Sequence, residues 1–453
     1  MAVAFLSHVV ADLTLGKPAL FWLPTSASVR DALRTLKLLA DDVSEISIWE
    51  CTCSSSSGND CDGIVDVKGN HPHSTPPPPQ RHCRCVGKVC MQKILCYLAS
   101  QQSLCNPAEA VQAPVTVLLS DDCPDITVQH VDPEASLLEA LQLIAAGVQK
   151  LIVPITRRSG KFVQQMKGYH FQKLVNMKGL STLSQGSHCG QTYCWLSHED
   201  VLRFLLGSIG VFSPLPMMSI EDLGIIKTDL FIIKVDEEAA SALELIKAAC
   251  VDMSAVAVVE DVEDRSGAYN LVGDISCTTL QACNESVALA LATLSAGAFL
   301  TYAQECRHPT EALLDLILTR LREKLGGNKC NQCVNVPLSK LGEVSSVLQD
   351  IESWEESSSS DGEESGLDSP TGPHEFSRQC LFTHLRTTSR VGFSFKSRSG
   401  PIFCNPKSSL VAVLLQALAH REHYVWVTRE DGILLGIVTF LDILTAMLNH
   451  VNI

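Results

Sequence analysis

The chain has 453 residues, with 35 lysines and arginines against 50 aspartates and glutamates, so its formal net charge is −15. Hydrophobic residues make up 46% and charged residues 19%, which is enough apolar material for packed cores and excludes a chain that is disordered throughout. The acidic balance argues against a general nucleic-acid binder, because such proteins present a basic face. The length predicts about two to four domains.

The cellular location follows from the N-terminus and from the 19 cysteines. The first apolar stretch has no basic residues before it and is interrupted by His8 and Asp12, so no signal peptide is predicted. We therefore expect a soluble intracellular protein of the cytoplasm or nucleus, in which most cysteines are reduced and packed as small apolar residues. Residues 286–304 are uncharged, and we predict a buried helix there rather than a membrane span.

Two segments have the composition of loops and linkers. Residues 51–81 are rich in cysteine, serine and proline, and residues 352–368 hold seven acidic and no basic side chains. Such segments cannot bury enough apolar surface to offset the entropy of the chain. We therefore predict a disordered acidic linker over 346–375, followed by a basic segment.

Serines in this linker are candidate phosphorylation sites. An acidic residue stands three positions after Ser358, Ser360 and Ser365, which suits an acidophilic kinase. Ser369 precedes a proline, which suits a proline-directed kinase. A solvated linker without any regulatory role explains the same composition.

The C-terminal segment shows a clear order of elements. Apolar periodicity and the turn pair Asp431-Gly432 predict a strand at 402–404, a helix at 410–418, strands at 424–428 and 433–438, and a helix at 442–448. The order strand, helix, strand, strand, helix recurs three times upstream, so internal repetition organises the chain.

This repetition divides the chain into predicted units. They are a first repeat at 1–105 with an insertion at 51–81, a second at 106–210 with an insertion at 156–192, a third at 211–285, a helical connector at 286–345, the acidic linker at 346–375, and a basic segment with a fourth repeat at 376–453. A single repeat of this kind leaves one sheet face uncovered. We therefore predict that the fourth repeat packs against the third.

The stretch Gly-Ile-Val-Thr-Phe-Leu-Asp-Ile-Leu at 436–444 resembles the signature that closes a CBS (cystathionine-β-synthase) domain, and Pro406 fits the same pattern. The chain as a whole resembles plant CBS-domain-containing proteins and is distantly similar to the gamma regulatory subunits of AMP-activated, SNF1-type kinases. The resemblance implies an α+β fold of tandem CBS repeats, paired into two Bateman modules. It also implies a non-catalytic regulatory protein that senses an adenosine-containing ligand, such as AMP, ADP, ATP or S-adenosylmethionine, and modulates an enzyme or kinase complex.

The resemblance assigns a role to two polar positions at the end of each repeat. The first, a serine or threonine, lies near the ligand's phosphate, and the second, an aspartate, accepts hydrogen bonds from the ribose hydroxyls. The fourth repeat has Thr439 and Asp442, and the second has Ser197 and Asp200. Helix capping explains the same residues without a ligand.

The other two repeats depart from this pattern. Ser276 is a weaker candidate, because Thr279 stands where the carboxylate belongs, and the first repeat has Cys90 and Lys93 at the two positions. These departures favour an alternative, a ligand-free scaffold or kinase gamma-like subunit that acts through surface contacts. The resemblance also allows a homodimer formed through the modules, and it implies no nucleic-acid or membrane partner.

A third alternative is a metal- or redox-responsive regulator that uses the cysteines around the first insertion. Cys51 and Cys53 precede the loop, and Cys83 and Cys85 follow it. Residues two apart in a strand share a face, so paired flanking strands would bring four thiolates together for zinc. A loop with incidental thiols explains the same spacing.

Overall fold

The structure, a computed structural model, describes residues 8–39, 43–51, 83–119, 128–155, 191–262, 267–281, 286–304 and 400–450, with positions 184, 185, 188, 316, 317, 319–321, 323 and 324. The described residues form an α+β fold with four sheets, one for each predicted repeat. The predicted linker and its serines, and Cys53, lie outside the described residues.

The first repeat has a sheet whose first two strands run parallel and whose second and third strands run antiparallel. Its strands are Phe21–Pro24, Glu45–Cys51 and Cys83–Cys90, with Ser184–Gln185 added at the outer edge. Its helices are Val29–Leu38, Met91–Leu98, Gln101–Cys105 and Pro107–Gln112, followed by the 3-10 turn Val115–Leu118. The first helix begins where Ser28 accepts a hydrogen bond from the Asp31 amide.

The second repeat has the same sheet order. Its strands are Val128–His130, Lys150–Ile155 and Thr192–Ser197, and its helices are Leu137–Ala145 and His198–Gly207, followed by the 3-10 turns Ile209–Phe212 and Leu215–Met217. The short helix Val10–Thr14 also packs on this repeat, since Val9 bridges to Ser136 and Val10 lies in its core.

The third repeat again pairs one parallel and one antiparallel strand with a central strand. Its strands are Ile232–Lys234, Val256–Asp261 and Tyr269–Ile275, and its helices are the 3-10 turn Ala239–Ala242 with Leu243–Val251, then Cys277–Gln281, Ser286–Thr293 and Ala296–Gln304.

The fourth repeat completes the pattern with strands Phe403–Cys404, Tyr424–Thr428 and Leu434–Thr439, and helices Leu410–His420 and Phe440–His450. Gly432 adopts a φ of 85° in the predicted hairpin turn, a conformation that glycine reaches without a steric penalty. In all four repeats the third strand leads almost directly into a helix, and this junction carries the predicted ligand-binding residues.

The sheets pack face to face in two modules. Leu20, Trp49 and Cys85 of the first repeat share a buried cluster with Val128 and Ile152 of the second. A second cluster joins the sheets of the third and fourth repeats, and its buried members are Ala255, Ala257, Val259, Tyr424, Trp426 and Ile437. The prediction that the fourth repeat packs against the third is therefore confirmed.

The helices join the two modules. One large core combines the helices of the first and third repeats, and another combines those of the second and fourth. Helix Met91–Leu98 contacts helices Leu243–Val251 and Cys277–Gln281, and helix His198–Gly207 contacts Phe440–His450. The four strand–helix junctions consequently lie toward the middle of the molecule.

Residues 286–304 differ from the single helix predicted for them. They form two helices, because the chain turns at Leu294 and Ser295 to pair with the start of the third repeat. The carbonyl of Leu294 accepts the amide of Ala239, and the amide of Ala296 donates to Glu237. The burial predicted for this segment is confirmed, since it contributes many side chains to the first–third core.

Packing crosses the predicted unit boundaries in two places. Val10–Thr14, assigned to the first repeat, packs on the second, while Pro107–Gln112, assigned to the second, lies in the first–third core. The position of either segment in the sequence therefore does not determine which repeat it packs against. The boundaries themselves stay predictions. Among the described residues, no helix combines the length and apolarity needed to cross a membrane.

Candidate functional site

The junction of the fourth repeat holds Thr439 and Asp442 in a fixed arrangement. Oδ2 of Asp442 accepts hydrogen bonds from the Thr439 amide, at 2.8 Å, and from its hydroxyl, at 2.7 Å. The Asp442 amide donates to the Thr439 hydroxyl at 3.4 Å. This is a reciprocal helix cap, so the capping role of both residues is observed, and their contact with a ligand stays a prediction.

The second repeat reproduces this arrangement. The amide and hydroxyl of Ser197 lie 2.7 and 2.6 Å from Oδ2 of Asp200, and the Asp200 amide donates back to the hydroxyl. Two carboxylates therefore stand at equivalent junctions, one in each module, with their orientation fixed before any ligand arrives.

Each carboxylate also contacts a lysine that the sequence reasoning missed. Lys17 Nζ lies 2.6 Å from Oδ2 of Asp200, and Lys227 Nζ lies 3.0 Å from Oδ1 of Asp442. Both lysines precede the first strand of their own module. Each pair thus links the start of a module to its last junction.

The two ion pairs differ in solvent exposure. The side chain of Lys227 is 44% exposed, whereas that of Lys17 is 21% exposed. Burial raises the pKa of Asp200, but Lys17 and the hydrogen bonds from Ser197 outweigh it, so this pKa lies below the ordinary aspartate value. The fourth-repeat lysine is thus the more accessible one.

Backbone pairing fixes Lys227 beside its partner. The amide of Lys227 donates to the carbonyl of Ile437, and the amide of Ile437 donates back, both at 2.9 Å. Gly436 allows this approach, since a Cβ there would lie 2.5 Å from the Lys227 carbonyl oxygen. The second repeat has Cys194 at the position of this glycine.

A repeated sequence pattern marks both lysines. The pattern Asp-Leu-x₃-Lys-x₂-Leu-Phe occurs at 12–21 and again at 222–231, each time immediately before a module's first strand or overlapping its start. This repeated pattern is the sequence feature that could have identified Lys17 and Lys227. The pattern alone does not reveal their partners, because Asp200 and Asp442 are far from the two lysines in sequence.

The other two junctions lack a carboxylate at the second position. In the third repeat the hydroxyls of Ser276 and Thr279 lie 3.0 Å apart, and Ser276 is almost fully buried. In the first repeat Lys93 donates to the backbone carbonyl of Lys88 at 3.3 Å. These junctions are therefore chemically unlike those of the second and fourth repeats.

The structure brings together two of the four cysteines predicted to bind zinc. Cys51 and Cys83 are cross-strand neighbours, and the ligand atoms of both lie within 4.8 Å of each other and of a His188 ring nitrogen. His188 stacks on Trp49, with ring centroids 3.9 Å apart, and burial lowers its pKa to about 4. His188 was not anticipated, because it lies inside the predicted second insertion at 156–192.

Cys85 does not join this group. Its thiol lies in the buried cluster between the first and second sheets and donates to the Gly87 carbonyl at 3.3 Å. Burial raises its pKa to about 12, so the thiol stays protonated at neutral pH. The predicted four-cysteine set is corrected in this respect, and a zinc site at Cys51 and Cys83 stays a prediction.

Comparison with known proteins gives four similarities. The family model for the CBS domain matches residues 394–449. The chain is 34% identical to CBS domain-containing protein CBSX5 of Arabidopsis thaliana over 98% of this chain and 97% of that protein, and 28% identical to CBSX6 of the same plant over 99% and 95%. A crystal structure from Methanocaldococcus jannaschii is also similar, and it is described as that of a candidate archaeal homolog of g-AMPK. The match covers 97% of this chain and 99% of that chain at 12% sequence identity, with a TM-score of 0.44.

Proposed function

The chain belongs to the CBS domain-containing proteins, and on that premise we propose that it is a non-catalytic regulatory protein that binds an adenosine-containing ligand and modulates a partner protein. The site we assign to this ligand is the fourth-repeat junction, with Thr439, Asp442 and Lys227. The equivalent residues of the second repeat form a second, more enclosed candidate.

The observation that carries this proposal is the contact between Lys227 and Asp442. A carboxylate and an ammonium group lie 3.0 Å apart, the first 12% and the second 44% exposed. A ribose phosphate offers the complementary pair of groups, a diol that donates to a carboxylate and an anion that attracts an ammonium. Such a ligand can replace the ion pair while the ammonium keeps an anionic partner and the carboxylate keeps hydrogen-bond donors.

Placement of these residues also suggests how binding reaches a partner. Lys227 precedes the first strand of the third repeat and Asp442 lies in the fourth repeat, so a ligand that separates them changes the connection between two repeats of one module. A ligand shifts a conformational equilibrium only by its different affinity for the two states. Exchange of a direct ion pair for a ligand-bridged one supplies such a difference. We expect the partner to be an enzyme or kinase complex.

One observation favours the scaffold alternative. In the first and third repeats the second polar position is Lys93 or Thr279, and the capping contacts at Asp200 and Asp442 are complete without a ligand. A protein that binds no nucleotide would retain this fold. If no ligand binds, we therefore infer that the chain acts as a scaffold through surface contacts.

Calorimetric titration of the purified full chain with AMP, ADP, ATP and S-adenosylmethionine tests the proposal. We expect a phosphate-bearing ligand to bind, and Asp442→Asn to weaken it about 10- to 100-fold, since hydrogen bonds to charged groups contribute roughly 1.5–3 kcal/mol. Asp261→Asn is the matched control, because it removes the carboxylate of the exposed Lys234–Asp261 pair in the same module. Binding of none of these ligands at millimolar concentration would reject the sensor in favour of the scaffold.

A further inference from the structure

Three cysteines that are distant in sequence meet where the first and third repeats join. The thiol sulfurs of Cys90, Cys250 and Cys277 all lie within 4.8 Å of one another, and those of Cys90 and Cys277 are 3.9 Å apart. Cys90 is buried and the other two are partly buried. The cluster is separate from the Lys227–Asp442 site and from the Cys51–Cys83 pair.

Secondary structure positions each of the three thiols. Cys90 ends the third strand of the first repeat, Cys277 begins a helix of the third repeat, and Cys250 lies near the end of helix Leu243–Val251. Hydrogen bonds join the helix of Cys250 to the helix that follows Cys90 and to the second repeat. The Gln92 side chain donates to the Ile246 carbonyl at 2.9 Å, and the Gln149 side chain donates to the Val251 carbonyl at 2.7 Å.

We propose that Cys90, Cys250 and Cys277 bind a thiolate-preferring d¹⁰ metal ion, with zinc(II) the expected occupant. Zinc–sulfur bonds of about 2.3 Å place the sulfurs of a tetrahedral site about 3.8 Å apart, close to the 3.9 Å between Cys90 and Cys277. A disulfide needs the sulfurs at about 2.05 Å, well short of the 3.9 Å between Cys90 and Cys277.

The surrounding charges suit a zinc–thiolate complex. Glu45 contacts both Lys88, at 2.6 Å, and Lys150, at 3.1 Å, so this group of two ammoniums and one carboxylate has a net charge of +1. Glu45 is also the cross-strand neighbour of Cys90. Zinc(II) with three thiolates carries a charge of −1, which this neighbour offsets, whereas copper(I) with three thiolates carries −2.

Three protein ligands leave a coordination position on a tetrahedral ion for a water molecule. The ion would join the first repeat to the third and therefore one module to the other. Each coordinating thiol loses its proton to the solvent as the metal binds. Metal occupancy would thus raise the stability of the assembled modules.

Metal titration of the reduced, chelator-treated full chain tests the inference, with zinc(II) and copper(I) in separate arms against a competing indicator. Cobalt(II) provides a spectroscopic arm, since thiolate ligands give it an ultraviolet charge-transfer band. The variants are Cys250→Ala and Cys277→Ala. The matched control is Cys96→Ala, which removes a buried thiol of the same core that lies outside the group of three.

We expect wild type and Cys96→Ala to bind one more metal ion than either trio variant and to gain thermal stability with zinc, as metal binding to the folded state requires. Both trio variants should lose the added ion, the cobalt band that belongs to it and the stabilisation. Binding of copper(I) in place of zinc(II) would support the site and change its occupant. Equal metal content in all four proteins would overturn the proposal, and so would a Cys90–Cys277 disulfide found by mass spectrometry in protein purified without reductant.

Discussion

The ammonium group of Lys227 lies 3.0 Å from Oδ1 of Asp442, and Lys17 makes the corresponding contact with Asp200 in the other module. Both aspartates are also held by a reciprocal cap with a serine or threonine three residues earlier. The recurrence of a lysine, an aspartate and a capping hydroxyl in both modules indicates that the two modules share one local arrangement, which is the arrangement we propose for ligand binding.

Replacement of Lys227 separates the contribution of phosphate from that of ribose. We expect Lys227→Met to weaken AMP binding about tenfold and to leave adenosine binding nearly unchanged, because only AMP has an anion for the ammonium group. Parallel calorimetric titrations of both ligands measure the difference. Lys234→Met, which breaks the exposed pair of the third repeat, should alter neither affinity. Equal losses for AMP and adenosine would show that Lys227 does not contact phosphate.

Acid should reveal the stabilising role of Asp200. Its pKa is lowered in the folded state, so its contribution to stability is present above the unfolded value, about pH 4, and is lost as the pH falls through the folded value. Urea unfolding of wild type and Asp200→Asn should therefore give a stability difference that is largest near neutral pH and shrinks below about pH 4. A difference that stays constant, or that grows in acid, would contradict the ion pair with Lys17.

Asp274 tests the packing of the third sheet on the fourth. Its Oδ2 accepts hydrogen bonds from the Tyr424 hydroxyl, at 2.7 Å, and from the Trp426 indole, at 2.9 Å, in a buried interface. We expect Asp274→Ala to lower the free energy of unfolding by about 3 kcal/mol, since two buried donors lose a charged acceptor. Asp274→Asn keeps an acceptor oxygen and should cost less. Chemical denaturation measures both, and a loss below about 1 kcal/mol for Asp274→Ala would indicate that the hydrogen bonds contribute little.

Gly436 tests the close approach of the Lys227 segment. A methyl group there would meet the Lys227 carbonyl oxygen at 2.5 Å, so Gly436→Ala should destabilise the protein by about 1–3 kcal/mol and weaken ligand binding. Gly400→Ala is the control, because nothing lies within 4 Å of its added Cβ. Thermal unfolding and titration of both variants check the expectation. A neutral Gly436→Ala would mean that the segment can move aside.

Local patterns predicted the elements of this fold well. The strand Tyr424–Thr428 has the two ends that were predicted, and the turn at Gly432 is observed where it was predicted. The ends of the last helix, Phe440–His450, lie within a few residues of the predicted ones. Such agreement is expected where apolar periodicity, turn residues and helix starts all indicate the same element. The signature at 436–444 then identified the family, and sheet faces that need covering predicted the pairing of repeats.

Contacts between distant segments account for what the sequence did not reveal. Lys227 and Asp442 are paired only because backbone bonds to Ile437 align the segment before the first strand of the third repeat with the fourth sheet. Cys90 and Cys277 belong to repeats that meet through helices, and no local spacing connects them. Cys85 was predicted to bind zinc because alternate residues of a strand share a face. That alternation does not distinguish a thiol buried between two sheets from one at the end of a sheet.

A crystal structure of the full chain grown with AMP tests the central claim most directly. Our account predicts a separated Lys227–Asp442 pair, with the ribose hydroxyls donating to the Asp442 carboxylate and the phosphate near Lys227 and Thr439. Nucleotide bound elsewhere, with Lys227 Nζ still 3.0 Å from Asp442 Oδ1, would contradict it.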